Sequence, residues 1–348
     1  MEKDNLRLIV LDSHKELGRT INNHLKKINN TEEDYIIPVV NNRFNNGEGK
    51  VRINGSVREK DIYILADVGN YSTTYNMHGF LNHFSPDDHF QDIKRVISAI
   101  SGHASSITVV MPLLYESRQH KRKGRESLDS ALALRELENL KVNNIITFDA
   151  HDPSICNAIP NVAFDNIFPT KEIIKQLQKD NKDLNNLIVI SPDMGAMERA
   201  RYYAEVLKVS TGVFYKRRDL SKVVNGKNPI LEHVYMGEDV KNKNVLIVDD
   251  MIASGTSMLE VATMLKEKGA NKVFMTATFA LFTEGIEEFD RAHSEGIFDY
   301  LYSTNLSYVP EKLKNCAWYK SADMSIILAN VINDLNKKES LSKYYEKI

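Results

Sequence analysis

The feature that most constrains this chain is its alternation. Short apolar runs are followed by longer amphipathic segments from one end to the other. LRLIVLD reads as a strand, ELGRTINNHLKKI as a helix, DIYILAD as a strand and FQDIKRVISAISGH as a helix. SITVVMPLL, SLDSALALRELENL and NIITFDA continue as strand, helix and strand. A loop is expected from Asn157 to Pro169. Beyond it KEIIKQLQKD, MERARYYAEVLK and SMLEVATMLKEKGA read as helices, and LIVISPD, TGVFYKRR, NVLIVDD and KVFMTATFA as strands. Near-continuous apolar strands interleaved with helices predict mainly parallel sheets covered on both faces. The pattern falls into two blocks. Two α/β domains of similar size are therefore expected, 1–167 and 168–321, with a C-terminal helical segment, 322–348, free to pack back on the first.

The length of 348 residues suits two domains, and 42% hydrophobic with 26% charged residues is ordinary for a soluble globular chain. A net charge of -2 gives no global pull toward nucleic acid. Cys156 and Cys316 form no metal-type pair or disulfide framework, so a reducing, cytoplasmic setting is expected. The apolar run near the N-terminus is too short for a signal peptide, and no stretch has the length to cross a bilayer.

The stretch NVLIVDDMIASGTSM, Asn244 to Met258, carries the most chemistry. An apolar strand runs into Asp249 and Asp250, and ligands gather at the carboxyl ends of parallel strands. Adjacent strand residues face opposite ways, so both acids reach one ligand only where the strand is ending. Such acids accept hydrogen bonds from sugar hydroxyls or hold Mg2+. Ala253, Ser254, Gly255, Thr256 and Ser257 then lead into a helix with Met258, Val261, Ala262 and Leu265 on its apolar face. Small hydroxyl residues and a glycine let a phosphate approach free helix N–H groups. On physics alone, a plain strand, turn and capped helix explains the stretch equally well. The sequence contains neither a Walker A loop nor a G-x-G-x-x-G after a strand.

The stretch resembles the phosphoribosyl-pyrophosphate signature of type I phosphoribosyltransferases and ribose-phosphate pyrophosphokinases. Further stretches, in matching order, resemble the pyrophosphokinases. RFNNGEG resembles their adenine-contacting loop, with Phe44, Asn46 and Glu48 in matching places. SRQHKRKGRES resembles the ATP-binding segment and supplies Arg118 and Gln119. TFDAH resembles the strand end with the magnesium-associated histidine, here His151 after Asp149. SPDMGAMERAR resembles a second phosphate-side loop, with Asp193 and Gly195, and YKRRD the start of the catalytic loop, with Lys216 and Arg218. The resemblance covers nearly the whole chain.

It implies two type I phosphoribosyltransferase-like domains that transfer pyrophosphate from ATP to ribose 5-phosphate, giving phosphoribosyl pyrophosphate and AMP. Lys216 and Arg218 would be catalytic. Phe44, Asn46, Glu48, Arg118, Gln119 and His151 would bind ATP. Asp193, Asp249, Asp250 and residues Ala253 to Ser257 would bind ribose 5-phosphate. Asp149, His151 and Asp193 would serve Mg2+. The implied assembly is a dimer-based homo-oligomer, up to a hexamer, with the Phe44 loop reaching a neighbouring subunit; neither nucleic acid nor membrane is an expected partner. Asp149 and His151, two apart, are expected on the same side of a strand.

The chain also departs from the pattern. The family's aspartate and Thr-Gly-Gly-Thr stand here as Ala253, Ser254, Gly255, Thr256 and Ser257, which puts a Cβ at Thr256 where a positive φ is expected. His120 and Lys123 replace common acids, and Tyr71 to Asp88 is longer and more aromatic than its counterpart. Alternatives are therefore a catalytically weak or inactive paralogue that binds nucleotide or phosphate and assembles with an active subunit, and a phosphoribosyltransferase that consumes the activated sugar.

Overall fold

The computed structural model describes residues 5–122, 124–181, 184–218 and 230–345, with 216–218 and 230–233 described as backbone only. The chain divides into two compact units. The first runs up to Pro169 and also includes Asn305–Tyr308 and the segment from Asp323; the second holds Thr170–Thr304 and Val309–Ala322.

The first unit contains strands β1 (Leu6–Val10), β2 (Val39–Arg43), β3 (Gly49–Ile53), β4 (Asp61–Leu65), β5 (Thr74–Met77), β6 (Phe80–His83), β7 (Ser106–Val110), β8 (Asn144–Phe148) and β9 (Ala163–Ile167). Its sheet has the order β1-β4-β7-β8-β9, parallel throughout, and β2–β3 and β5–β6 are separate antiparallel hairpins. Helices α1 (Lys15–Ile28), α2 (Pro86–Ile100) and α3 (Asp129–Asn139) connect them. The helices follow from pattern and caps. Leu17, Ile21 and Leu25 bury one stripe of α1. Ser85 and Asp88 form a reciprocal capping box before α2, with Pro86 inside its first turn. That box starts α2 four residues ahead of the expected Phe90. β9 corrects the expected loop at 157–169. It is an edge strand paired only to β8, its first residues are exposed or half-buried, and so its apolar signal is weak.

The second unit contains helices α4 (Thr170–Asp180), α5 (Met197–Leu207), α6 (Thr256–Glu267), α7 (Glu287–Ser294) and α8 (Glu311–Lys314). Its strands are β10 (Leu187–Ser191), β11 (Ser210–Arg218), β12 (Ile230–Met236), β13 (Asn244–Ile252), β14 (Val273–Ala280), β15 (Tyr300–Thr304) and β16 (Tyr319–Ala322). The sheet order is β12-β11-β10-β13-β14-β15-β16, and among these pairings only β11–β12 is antiparallel. β10, β14 and most of β13 are buried along their length, as strands covered on both faces must be. Met258, Val261, Ala262 and Leu265 of α6 join that core. Met258, Val261 and Leu265 each contribute about 1.5–3 kcal/mol of transfer free energy. Gly269, at φ +86, ends the helix in the left-handed form.

The C-terminal helix α9 (Ser325–Asn336) belongs to the first unit, where Ser325 Oγ lies 3.1 Å from His24 Nε2 of α1. It stops at Asn336, well short of the expected segment, and Lys338 has a left-handed φ of +59.

Candidate functional site

In the second unit the acids sit on β13. Its pairing with β10 ends at Ile190↔Ile247, whereas its pairing with β14 continues to Ile252↔Ala280. Asp249 and Asp250 therefore lie inside the strand, not at its end as expected, yet beyond the reach of β10. The cause is local: β10 runs into Pro192, which has no N–H for a ladder. Asp250 is buried and Asp249 half-buried, and the Asp250 N–H donates to Asp249 Oδ1 at 2.9 Å. Burial first, then the neighbouring charge of Asp250, pushes the Asp249 carboxyl well above the usual range, while Arg199 of α5 pulls the other way. Sequence reasoning does not single out Arg199, because an arginine inside a helix carries no local signal.

The loop after the acids is built for a close approach. Gly255 has φ +79, and a Cβ there would meet the Phe289 ring at 2.4 Å. Thr256 is the first residue of α6 and takes no positive φ. This corrects the expectation for Thr256: the chain reverses at Gly255 alone, so a β-branched residue fits next to it. Gly255 caps α6 without any side-chain cap bond, so the positive end of the helix dipole faces the loop. The Thr256 hydroxyl donates to Ser254 Oγ at 3.3 Å, and Thr256 and Ser257 are exposed. The Ala253 carbonyl accepts from Thr283 N–H at 3.0 Å, which ties the loop to the segment after β14.

The Asp193 loop precedes α5. Asp193 Oδ1 accepts from the N–H groups of Gly195 and Ala196 at 2.8 and 3.1 Å, so it closes the turn ahead of α5 while its side chain stays exposed. Lys216 and Arg218 lie on β11, in register with His233 and Ile230 of β12. Their side chains fall outside the described residues.

In the first unit, the segment after β7 and the turn after β8 form one cluster. The His151 N–H donates to Ser117 Oγ at 3.0 Å, and the His120 and His151 rings lie 5.3 Å apart. Lys121 and His120 contact Asp152 at 2.8 and 3.3 Å. Burial raises the Asp152 carboxyl, but hydrogen bonds from Lys121 and Ser154 outweigh it and hold the group well below the usual carboxylate range. Arg118, Gln119 and His151 are exposed on this cluster, whereas Lys123 lies outside the described residues. Asp149 is buried, has φ +43, and follows the last residue of β8. The strand has ended there, so the expected same-side alternation of Asp149 and His151 does not apply.

The Phe44 loop is the β2–β3 turn. Phe44 is 52% exposed, and its N–H donates to the Glu48 carbonyl at 2.8 Å. Asn46 and Glu48 are paired to each other, Nδ2 to Oε2 at 2.9 Å. Among the described residues no three His, Cys, Asp or Glu side chains converge as a metal site.

Residues 6–140 match the sequence profile of the N-terminal domain of ribose phosphate pyrophosphokinase, and residues 164–296 match the phosphoribosyl transferase domain. The ribose-phosphate pyrophosphokinase of Mycoplasma pneumoniae is 31% identical over 316 residues, covering 88% of this chain and 87% of the relative. The chain belongs to the ribose-phosphate pyrophosphokinase family. Ribose-phosphate pyrophosphokinase A of Dictyostelium discoideum is 27% identical and covers 98% of both chains. The crystal structure of phosphoribosylpyrophosphate synthetase from Mycobacterium smegmatis matches with a TM-score of 0.78 at 22% identity, covering 96% of this chain and 99% of that one, and so shares its fold. The two pyrophosphokinase-type domains, each with a mainly parallel sheet flanked by helices, follow from these matches. No helix among the described residues is long and apolar enough to cross a membrane.

Proposed function

We propose that this pyrophosphokinase-family chain transfers the pyrophosphoryl group of ATP to the anomeric hydroxyl of ribose 5-phosphate. The observation that carries this reading is the run from Asp249 to Thr256: two crowded carboxylates lead directly into a left-handed glycine and an uncapped helix N-terminus. Carboxylates suit sugar hydroxyls, and the positive end of a helix dipole suits a phosphate. One sugar phosphate satisfies both. Its hydroxyls would relieve the Asp249–Asp250 repulsion, and Ser254 to Ser257 would wrap the 5-phosphate.

The O1 hydroxyl of the sugar attacks the β-phosphorus of ATP and gives up its proton to solvent; the new O–P bond forms as the bond from the β-phosphorus to the bridging α-phosphate oxygen breaks, and AMP leaves with that oxygen. Such transfers depend on alignment and charge neutralisation. Lys216 and Arg218 would meet the charge that develops on the transferring group. Phe44 would stack on adenine, with Asn46 and Glu48 exchanging their mutual bond for the base edge. Arg118 and Gln119 would grip the ATP phosphates beside His151. Asp149 and His151 in the first unit, and Asp193 in the second, would each offer a donor to Mg2+. When bound, it would neutralise phosphate charge. A homo-oligomer in the cytoplasm, dimer-based and up to a hexamer, with the Phe44 turn reaching a neighbour, completes the reading.

The test is AMP formation from ATP, Mg2+ and ribose 5-phosphate. AMP that depends on the sugar supports the reading, and its absence over a wide substrate range removes it.

A further inference from the structure

The β5–β6 hairpin falls in the segment Tyr71 to Asp88, which the family pattern does not explain. Its tip, His78–Gly79, has positive φ at both residues, +50 and +83, as a two-residue type I′ turn requires. That tip meets the Phe44 turn. The His78 N–H donates to the Asn45 carbonyl at 2.9 Å. Met77 packs on Gly47, where a Cβ would lie 2.7 Å from Met77 Sδ. The base of the hairpin grips the residue just before Phe44. The Arg43 guanidinium lies 5.7 Å from the Tyr75 ring centroid and 4.6 Å from that of Phe84. Its other side is fixed by α2, with Nη1 donating to Asp92 Oδ1 at 2.7 Å. Arg95 and Asn41 saturate the same buried Asp92 at 2.6 and 2.5 Å.

We propose that the β5–β6 hairpin is a brace that holds the Phe44–Glu48 turn in its nucleotide-receiving shape, a proposal that rests on reading that turn as the ATP-contacting loop. The physical reason is preorganisation. The Phe44 ring is exposed, and the Asn46–Glu48 pair and the Gly47 N–H bond to the Phe44 carbonyl at 2.8 Å lie within the turn, so they shape it without anchoring it to the unit beneath. Ordering it at binding would weaken affinity by the fraction of time it spends misplaced. The hairpin fixes it from both ends, through Arg43 at the root and Asn45 and Gly47 at the apex.

The experiment excises the hairpin from the full chain. Phe84 N–H donates to the Thr73 carbonyl at 2.9 Å, so an Asn-Gly pair can replace Thr74–His83 across that closed base. Binding of Mg·ATP and of ribose 5-phosphate is measured by calorimetry. The ATP Kd is expected to rise about fivefold or more, with sugar-phosphate binding unchanged. Met77→Ala, which leaves the hairpin in place, is expected to raise the ATP Kd about twofold and carries the test if the excised chain does not fold. In a Phe44→Ala background the excision should cost less than it does in the wild type, because the brace acts through the turn. An unchanged ATP Kd on excision and in Met77→Ala, while Phe44→Ala alone raises it, overturns the brace. Equal weakening of both ligands also overturns it. If Phe44→Ala leaves ATP binding unchanged, the nucleotide reading of the turn falls, and the brace with it.

Discussion

Gly255 lies against Phe289 so closely that a β-carbon on the glycine would sit 2.4 Å from the ring. The ring is fully buried and the glycine has φ +79, so neither side can yield cheaply. The sugar-phosphate loop is thus set by the core beneath it.

Gly255→Ala combines a left-handed φ with overpacking. It should lower stability by roughly 2–4 kcal/mol and abolish ribose 5-phosphate binding. Thr256→Gly is the counterpart. Because Thr256 is already helical, the change should destabilise by under about 1 kcal/mol and should not tighten sugar-phosphate binding. Denaturant melts and calorimetric titration measure both.

The crowded acids predict a pH response. The Asp249 carboxyl is raised in the folded state, so the folded chain holds a proton that the unfolded chain releases. The contribution is fully present below the ordinary carboxylate value and is lost as pH rises through the elevated one. Asp249→Asn should flatten this loss and raise the melting temperature at neutral pH, while weakening sugar-phosphate binding. Arg199→Gln removes an opposing cation and should extend the loss to higher pH. A matrix of melting temperature against pH checks both.

Asp67 gives a second titration in the first unit. It is buried, and desolvation raises it to about 6 despite hydrogen bonds from Tyr308 N–H, Gly69 N–H and the Ser307 hydroxyl. Its raised value stabilises the fold below the ordinary carboxylate pKa of 3.8, and the contribution, roughly 3 kcal/mol, fades as pH rises through about 6. Asp67→Asn should remove that dependence, as pH-dependent unfolding free energies would record.

Lys216→Ala and Arg218→Ala should each lower kcat about 10²–10³-fold with little change in the binding of either substrate, because their charge acts on the transferring group. Pre-steady-state turnover and direct binding separate the two effects. A rise in substrate Kd with kcat preserved would reassign them to ground-state binding.

How much of this was legible in the sequence depends on whether a signal was local. The apolar runs of β1, β10 and β13 and the stripes of α1 and α6 announced the architecture, because burial on two faces or one stripe leaves a short-range pattern. β9 was hidden, since an edge strand with one partner needs few apolar residues. β15 and β16 leave no comparable pattern, although both carry buried residues, because they are short and pair within a sheet already formed. The acids and the small-residue loop were legible as chemistry, but their geometry was not. Phe289, 34 positions away, leaves no room for a Cβ at Gly255, and Asp249 titrates as burial and Asp250 dictate, with Arg199 of α5 opposing them. The Tyr71–Asp88 segment gave no reading until its hairpin was placed beside the Phe44 turn.

The central claim is the transfer itself, and the direct measurement follows AMP and phosphoribosyl pyrophosphate in one reaction. With ATP, Mg2+ and ribose 5-phosphate, the two products should appear in equal amounts, and neither should form when the sugar phosphate or Mg2+ is left out. ATP that persists unchanged across a wide range of both substrates, or ADP in place of AMP, would contradict the account.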